Sequence, residues 1–126
     1  MIGDELAVVD ASAIASLLFG EAPGEEIARA LDGKHLIAPT LLRYELGSVC
    51  LKKRQLYPAV KDSLLHALVL LDRLKISEVE VVEKEVVELA ERKYLTYYDA
   101  CYLWLAGELG ADLVTLDSRM REAWSG

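Results

Sequence analysis

No run of apolar residues in this 126-residue chain approaches the ~20 that a membrane-crossing helix needs. The stretch from Met1 to Leu6 also lacks the basic start and long apolar centre of a secretory leader. A soluble, cytoplasmic protein with no membrane partner is the expectation. Cysteine and histidine are scarce. Cys50 and Cys101 both fall inside apolar helical patterns, where a free thiol behaves as a small hydrophobe, and His35 and His66 are isolated from each other. No His or second Cys stands at zinc spacing, so both cysteines read as reduced core residues and both histidines as structural. Positive charge is short as well: 14 Lys and Arg face 21 Asp and Glu, for a net charge of −7. That balance argues against a nonspecific nucleic-acid binder, which relies on neutralising phosphates. If nucleic acid is the partner, contact falls to local groups such as Lys52, Lys53 and Arg54, or Arg119 and Arg121, which fit a solvated helix end and tail equally well.

There is no internal repeat, no low-complexity segment and no linker, and 53% of the residues are hydrophobic. One compact domain over residues 1–126 follows, long enough to bury roughly two thirds of the surface of its unfolded chain. Leu6 to Val9 is a continuous apolar run ended by Asp10-Ala11-Ser12 and followed by the helical stretch Ala13 to Phe19, which reads as a strand feeding a helix with Ser12 as its N-cap. Pro23 starts a second helix, with Glu25 and Glu26 in its first turn, and Gly33 stops it. His35 to Ala38 is a second strand, and Pro39 opens a longer helix with the stripe Leu42, Leu46, Val49 and Cys50.

Pro58 begins another helix, in which Leu64, Leu65, Leu68, Val69, Leu70, Leu71 and Leu74 cover much of the girth. A helix that apolar needs cover on two sides, one of which a second subunit can supply. Ile76 to Val82 alternates like a half-exposed strand, Glu83 to Tyr94 returns to helical spacing, and Thr96 caps a helix from Tyr97 to Leu109 that Gly110 closes. Asp112 to Leu116 is the last strand and delivers Asp117. This alternation is that of a parallel α/β sheet.

Four acids stand where an acid is costly. Asp10 and Asp117 end apolar strands, Glu45 falls beside an apolar helix stripe, and Asp99 opens an apolar helix on the same side as Leu103 and Ala106. A carboxylate withdrawn from water is destabilised by several kcal/mol unless a cation or hydrogen-bond donors offset the loss. Mg²⁺ and Mn²⁺ prefer such hard oxygen ligands. In open parallel sheets functional groups collect beyond the carboxyl ends of the strands, where Asp10 and Asp117 both emerge. Each acid has a plainer reading: Asp10 and Asp117 as helix caps, Asp99 as part of a capping box with Thr96, Glu45 as a boundary residue with its head in water.

The segments Val8-Val9-Asp10-Ala11-Ser12, Leu41-Leu42-Arg43-Tyr44-Glu45-Leu46, Thr96-Tyr97-Tyr98-Asp99-Ala100 and Thr115-Leu116-Asp117 resemble, in this order, the signature of PIN-domain nucleases. The resemblance spans almost the whole chain. The compact size is most similar to the VapC-type toxins of toxin-antitoxin pairs. It implies a PIN-like three-layer α/β fold, with a central parallel sheet of four or five short strands flanked by helices. It further implies a metal-dependent endoribonuclease in which Asp10, Glu45, Asp99 and Asp117 hold Mg²⁺ or Mn²⁺, while Ser12 and Thr115 support them from behind. An RNA substrate, an antitoxin partner and a homodimer are implied too. The chain departs from the family in two ways. Ser118-Arg119-Met120 replaces a further acid that many relatives carry, which puts a second tightly held cation in doubt, and the chain stops at Gly126 soon after the helix that Ser118 begins, so that against the final edge strand of relatives either the sheet has four strands or the chain is shortened.

Three other readings compete. The first is a PIN nuclease for RNA processing that has no antitoxin. The second is a non-catalytic dimeric interaction module in which the acids only cap helices. The third is a phosphoryl-transfer domain, but the first strand ends Asp10-Ala11-Ser12, with neither an adjacent acid pair nor an Asp-x-Asp motif.

Overall fold

Leu6–Val9 forms strand β1, and its unbroken apolar sequence is explained by its place: it is flanked on both sides and buried on both faces. The computed structural model describes residues 5–125, so residues 1–4, part of the stretch read above for a leader, and Gly126 lie outside it. The elements that follow are α1 (Ala11–Leu18), α2 (Gly24–Leu31), β2 (His35–Pro39), α3 (Leu41–Leu56), α4 (Lys61–Val69), β3 (Ser77–Val79), α5 (Glu83–Lys93), α6 (Tyr97–Leu109), β4 (Asp112–Val114) and α7 (Ser118–Ser125).

The sheet has four parallel strands in the order β3-β2-β1-β4, with Val8 opposite Ile37 on one side and Leu113 on the other. The chain moves outward from β1 through β2 to β3 and then returns to the far side of β1. Right-handed crossovers therefore place the first helices on one face and the later ones on the other, giving three layers. In keeping with this, α1 packs on α2 and α3, and α3 on α4, whereas α6 packs on α5, α7 and the strands β1, β2 and β4. Val8, Val9, Ile14, Leu42, Leu46, Tyr102 and Leu105 are among the buried side chains between these layers. Gly24 is fixed by a close approach of α2 to α1, since a Cβ there would lie 2.8 Å from the Ser16 carbonyl oxygen. Gly110, at φ +61°, ends α6 as its sequence position predicts.

Several boundaries differ from the sequence reading. Asp10, not Ser12, is the N-cap of α1, because its carboxylate is the group that accepts from the Ala13 N–H. Pro39 closes β2 instead of opening α3: it sits opposite Val79 in the ladder, at a strand end where its missing N–H breaks little. The expected strand from Ile76 to Val82 shrinks to Ser77–Val79, since an edge strand can extend no further than its one neighbour, and β2 stops at Pro39. The expected helix from Pro58 to Leu74 is a single α-helical segment bracketed by 3₁₀ turns at Pro58–Val60 and Leu70–Leu74, of which only Leu71 is fully buried. Leu65 and Val69 remain exposed, so its apolar surplus is real. Cys50 and Cys101 are free and buried, and burial together with the Glu45 charge, against a hydrogen bond with Tyr97, pushes the Cys101 thiol up to about 11.

Candidate active site

The return of the chain across β1 creates a switch point between β1 and β4, where neighbouring strands lead to helices on opposite faces. Such crevices at the carboxyl edge are where α/β sheets hold ligands. Asp10 leaves β1 there and Thr115 leaves β4, joined by the backbone bond from Asp10 N–H to the Val114 carbonyl at 3.3 Å.

Asp10 is only 6% exposed, and three donors satisfy its carboxylate. Oδ1 accepts from the Ser12 hydroxyl at 2.7 Å and from the Ala13 N–H at 3.0 Å, and Oδ2 accepts from the Thr115 hydroxyl at 2.5 Å. These bonds are what makes a buried aspartate tolerable, and they hold its two oxygens in one orientation. The same hydroxyls bind the opposite strand end: Ser12 Oγ accepts from the Leu116 N–H at 2.9 Å, and Thr115 Oγ1 accepts from the Asp117 N–H at 3.0 Å. Arg121 adds a bond from its guanidinium to the Thr115 carbonyl at 2.8 Å.

Asp117 is exposed and caps α7, its Oδ1 accepting from the Arg119 N–H at 2.9 Å and the Met120 N–H at 3.4 Å. Asp99 sits in the first turn of α6, where the Thr96 hydroxyl accepts its backbone N–H at 3.1 Å. The capping readings of Asp10, Asp117 and Thr96 thus hold geometrically, and they place the acids without excluding a further task.

Glu45 lies on α3, half-buried, and the Tyr102 hydroxyl donates to its Oε1. Tyr102 itself is buried, one turn beyond Asp99 on α6. Sequence reasoning missed this residue; the available signal was a tyrosine on the apolar side of α6, because a buried tyrosine hydroxyl needs a polar partner.

Electrostatics tie the acids together. Burial is the main cause that lifts the Glu45 carboxyl above its ordinary value; the Tyr102 bond opposes it, and the charges of Asp99 and Asp10 add to it. Burial also leads in raising Asp99, opposed by a hydrogen bond with Thr96 and by the Arg119 cation and reinforced by Asp117 and Asp10. Asp99 therefore links the set: it feels Asp10 and Asp117 and acts on Glu45, which also feels Asp10. Among the described residues, however, no three His, Cys, Asp or Glu side chains form a ready-made metal cage. Like charges keep their distance, and Asp117 is drawn toward the start of α7. The donors are all carboxylate oxygens, those of Asp10, Glu45 and Asp99 withdrawn in part from water, which suits a hard divalent cation and no soft one.

The basic groups noted in the sequence are divided. Lys53 pairs with Glu21 at 3.2 Å, and Arg54 donates to the Lys61 carbonyl at 3.0 Å, whereas Arg119 bears on Asp99. His35 makes a 2.9 Å bond with Ser77, in line with a structural role.

The family profile described as PIN domain matches residues 7–124. Over 120 residues, 91% of this chain and 92% of the relative, the sequence is 33% identical to Ribonuclease VapC3 of Pyrobaculum aerophilum. The fold is similar to the crystal structure of PAE2754 from the same organism, with a TM-score of 0.66 and 25% identity over 93% of this chain and 84% of that one.

Proposed function

Because the chain belongs to the PIN-domain family, we propose that it is a ribonuclease, and more specifically a Mg²⁺- or Mn²⁺-dependent endoribonuclease whose site is built from Asp10, Glu45, Asp99 and Asp117. The observation that carries this reading is the Asp10 carboxylate, pinned by Ser12 and Thr115 at the switch point, with its charge felt by Glu45 and Asp99 and that of Asp117 felt by Asp99.

A divalent cation bound by such oxygens lowers the pKa of water and offsets the charge that develops on a phosphodiester. The chain's own residues set the rest. Ser12 and Thr115 fix the Asp10 oxygens, so that carboxylate is already oriented when a ligand arrives. Tyr102 occupies Glu45 Oε1 and leaves Oε2 to orient the attacking water and take its proton as the water oxygen joins phosphorus, while the bridging P–O bond breaks and the departing ribose oxygen takes a proton from solvent. Asp99 and Asp117, on the other two elements at this edge, complete the negative pocket. Arg119, whose charge acts on Asp99, is available to meet a phosphate. With Ser118 and Arg119 in place of a further acid, the set suits one firmly held cation better than two.

The VapC relative extends the proposal to a cytoplasmic toxin restrained by an antitoxin that enters the acidic groove. No helix among the described residues is long and apolar enough to cross a membrane. Leu51, Leu56, Val60, Leu65 and Val69, exposed on and between α3 and α4, give a surface suited to a homodimer. The test of the central reading is metal-dependent cleavage of an RNA pool. Wild type is expected to cut with Mg²⁺ or Mn²⁺ and not with EDTA, and Asp10→Asn to abolish cutting. Cutting by Asp10→Asn at the wild-type rate would remove Asp10 from the site.

A further inference from the structure

Beside the acidic crevice lies a cavity of about 330 Å³ lined by Leu41, Tyr44, Glu45, Ser48 and Tyr98. Its two aromatic walls are unusually open for such large apolar rings: Tyr44 is 78% and Tyr98 61% exposed. Each tyrosine immediately precedes one of the acids, Tyr44 before Glu45 on α3 and Tyr98 before Asp99 on α6. Two helices from different parts of the chain thus each present a tyrosine to the same cavity, with Glu45 of α3 between them and the crevice. The Tyr97 ring stands edge-on to Tyr98, with centroids 6.0 Å apart and planes at 77°, and braces it. Exposure alone is not the argument, since Tyr94 and Tyr57 are also exposed and do not line this cavity.

We infer that Tyr44 and Tyr98 form a base-binding cleft that stacks an unpaired nucleobase next to the phosphodiester to be cut. This rests on the ribonuclease reading of the crevice and adds to it the residues that hold the substrate's base. A net charge of −7 and four carboxylates repel a phosphate backbone, so affinity has to draw on a contact that does not depend on charge. Stacking on tyrosine is such a contact, and it accepts any base because every base has a π face. Leu41 supplies an apolar floor, and the Ser48 hydroxyl and Glu45 supply polar groups for a base edge. A base in this cleft has left its own stack, so the nucleotide beside the cut must be unpaired when it binds.

The test compares a short 5′-labelled single-stranded RNA with the same RNA carrying abasic riboses. Binding is followed by fluorescence anisotropy in Ca²⁺, and KM and kcat for cleavage are measured in Mg²⁺ or Mn²⁺. Wild type is expected to prefer the base-bearing RNA. Tyr44→Ala and Tyr98→Ala should each weaken its binding, and raise its KM, roughly five- to 150-fold, the range for losing one base stack. Both should bind the abasic RNA as wild type does, and Tyr44→Phe and Tyr98→Phe should restore the preference. Equal effects on both RNAs, no effect on either, or no base preference in wild type would overturn the cleft. So would unchanged RNA binding with lost self-association in sedimentation, which would assign the cavity to a second copy of the chain. The two layers separate cleanly: base- and tyrosine-dependent binding without cleavage in any metal refutes the ribonuclease and keeps the cleft. Cleavage with unchanged KM in both alanine variants refutes the cleft and keeps the ribonuclease.

Discussion

Replacing Thr115 by valine removes one hydroxyl and almost no volume, which isolates the hydrogen bonds that join the ends of β1 and β4. Thr115 is 5% exposed, donates to Asp10 Oδ2 and accepts from the Asp117 N–H. A hydrogen bond to a buried charge contributes about 1.5–3 kcal/mol, and a neutral one about 0.5–1.5 kcal/mol. Asp10 retains its bonds from Ser12 and Ala13, and the exposed Asp117 backbone can turn to water, so the lower parts of both ranges apply. Thr115→Val should therefore cost about 2–3 kcal/mol. For a domain of this size that lowers Tm by roughly 8–12 °C. Thr115→Ser keeps the hydroxyl and loses one methyl, for about 1 kcal/mol and roughly 4 °C. Thermal melts followed by circular dichroism, with urea midpoints as a check, give both values. If the valine variant is as stable as the serine variant or more so, Thr115 acts by packing alone and the network is not what fixes Asp10.

Further outcomes follow from other contacts. Tyr102→Phe removes the donor that holds the Glu45 carboxyl down, so the acid limb of the cleavage pH profile should move to higher pH; an unmoved limb would separate Glu45 from the rate. Asp99 has a raised native carboxyl pKa, so the native state favours its protonated form: its contribution to stability is present below the unfolded-state value and is lost as pH rises through the raised one. Asp99→Asn should accordingly raise the metal-free Tm at pH 7. The gain should fade below the ordinary Asp value of 3.8, and a gain independent of pH would refute the repulsion. Gly24→Ala places a Cβ 2.8 Å from the Ser16 carbonyl oxygen, which should destabilise the protein by about 1–3 kcal/mol in a urea titration; an unchanged midpoint would mean α2 can slide away from α1.

What could be read in the sequence divides along physical lines. The Leu6 to Val9 run, the Thr96 cap and the Gly110 stop are local signals, and each marks its element in the structure. The sheet was legible as a class because buried parallel strands and amphipathic helices alternate. The ends were less so. A proline such as Pro39 fits the last residue of a strand as well as the first of a helix, and only its pairing with Val79 decides between them. The length of β3 depends likewise on where its neighbour stops. At the site, the acids were visible as carboxylates in apolar surroundings, but their partners were not. The Thr115 bond to Asp10 spans 105 residues and the Tyr102 bond to Glu45 spans 57, and no local pattern encodes either. Ser12 shows the same limit. Its short side chain beside a helix start suggested a cap, whereas it donates to the aspartate that is the cap.

The most direct measurement is cleavage of a mixed structured and single-stranded RNA pool by wild type, Asp10→Asn and Asp99→Asn, each with Mg²⁺, Mn²⁺ or EDTA. Cutting by wild type that needs the metal and is lost in both variants is the predicted result. Cutting that persists in EDTA, or in both asparagine variants, would contradict a carboxylate-held metal at the β1–β4 switch point.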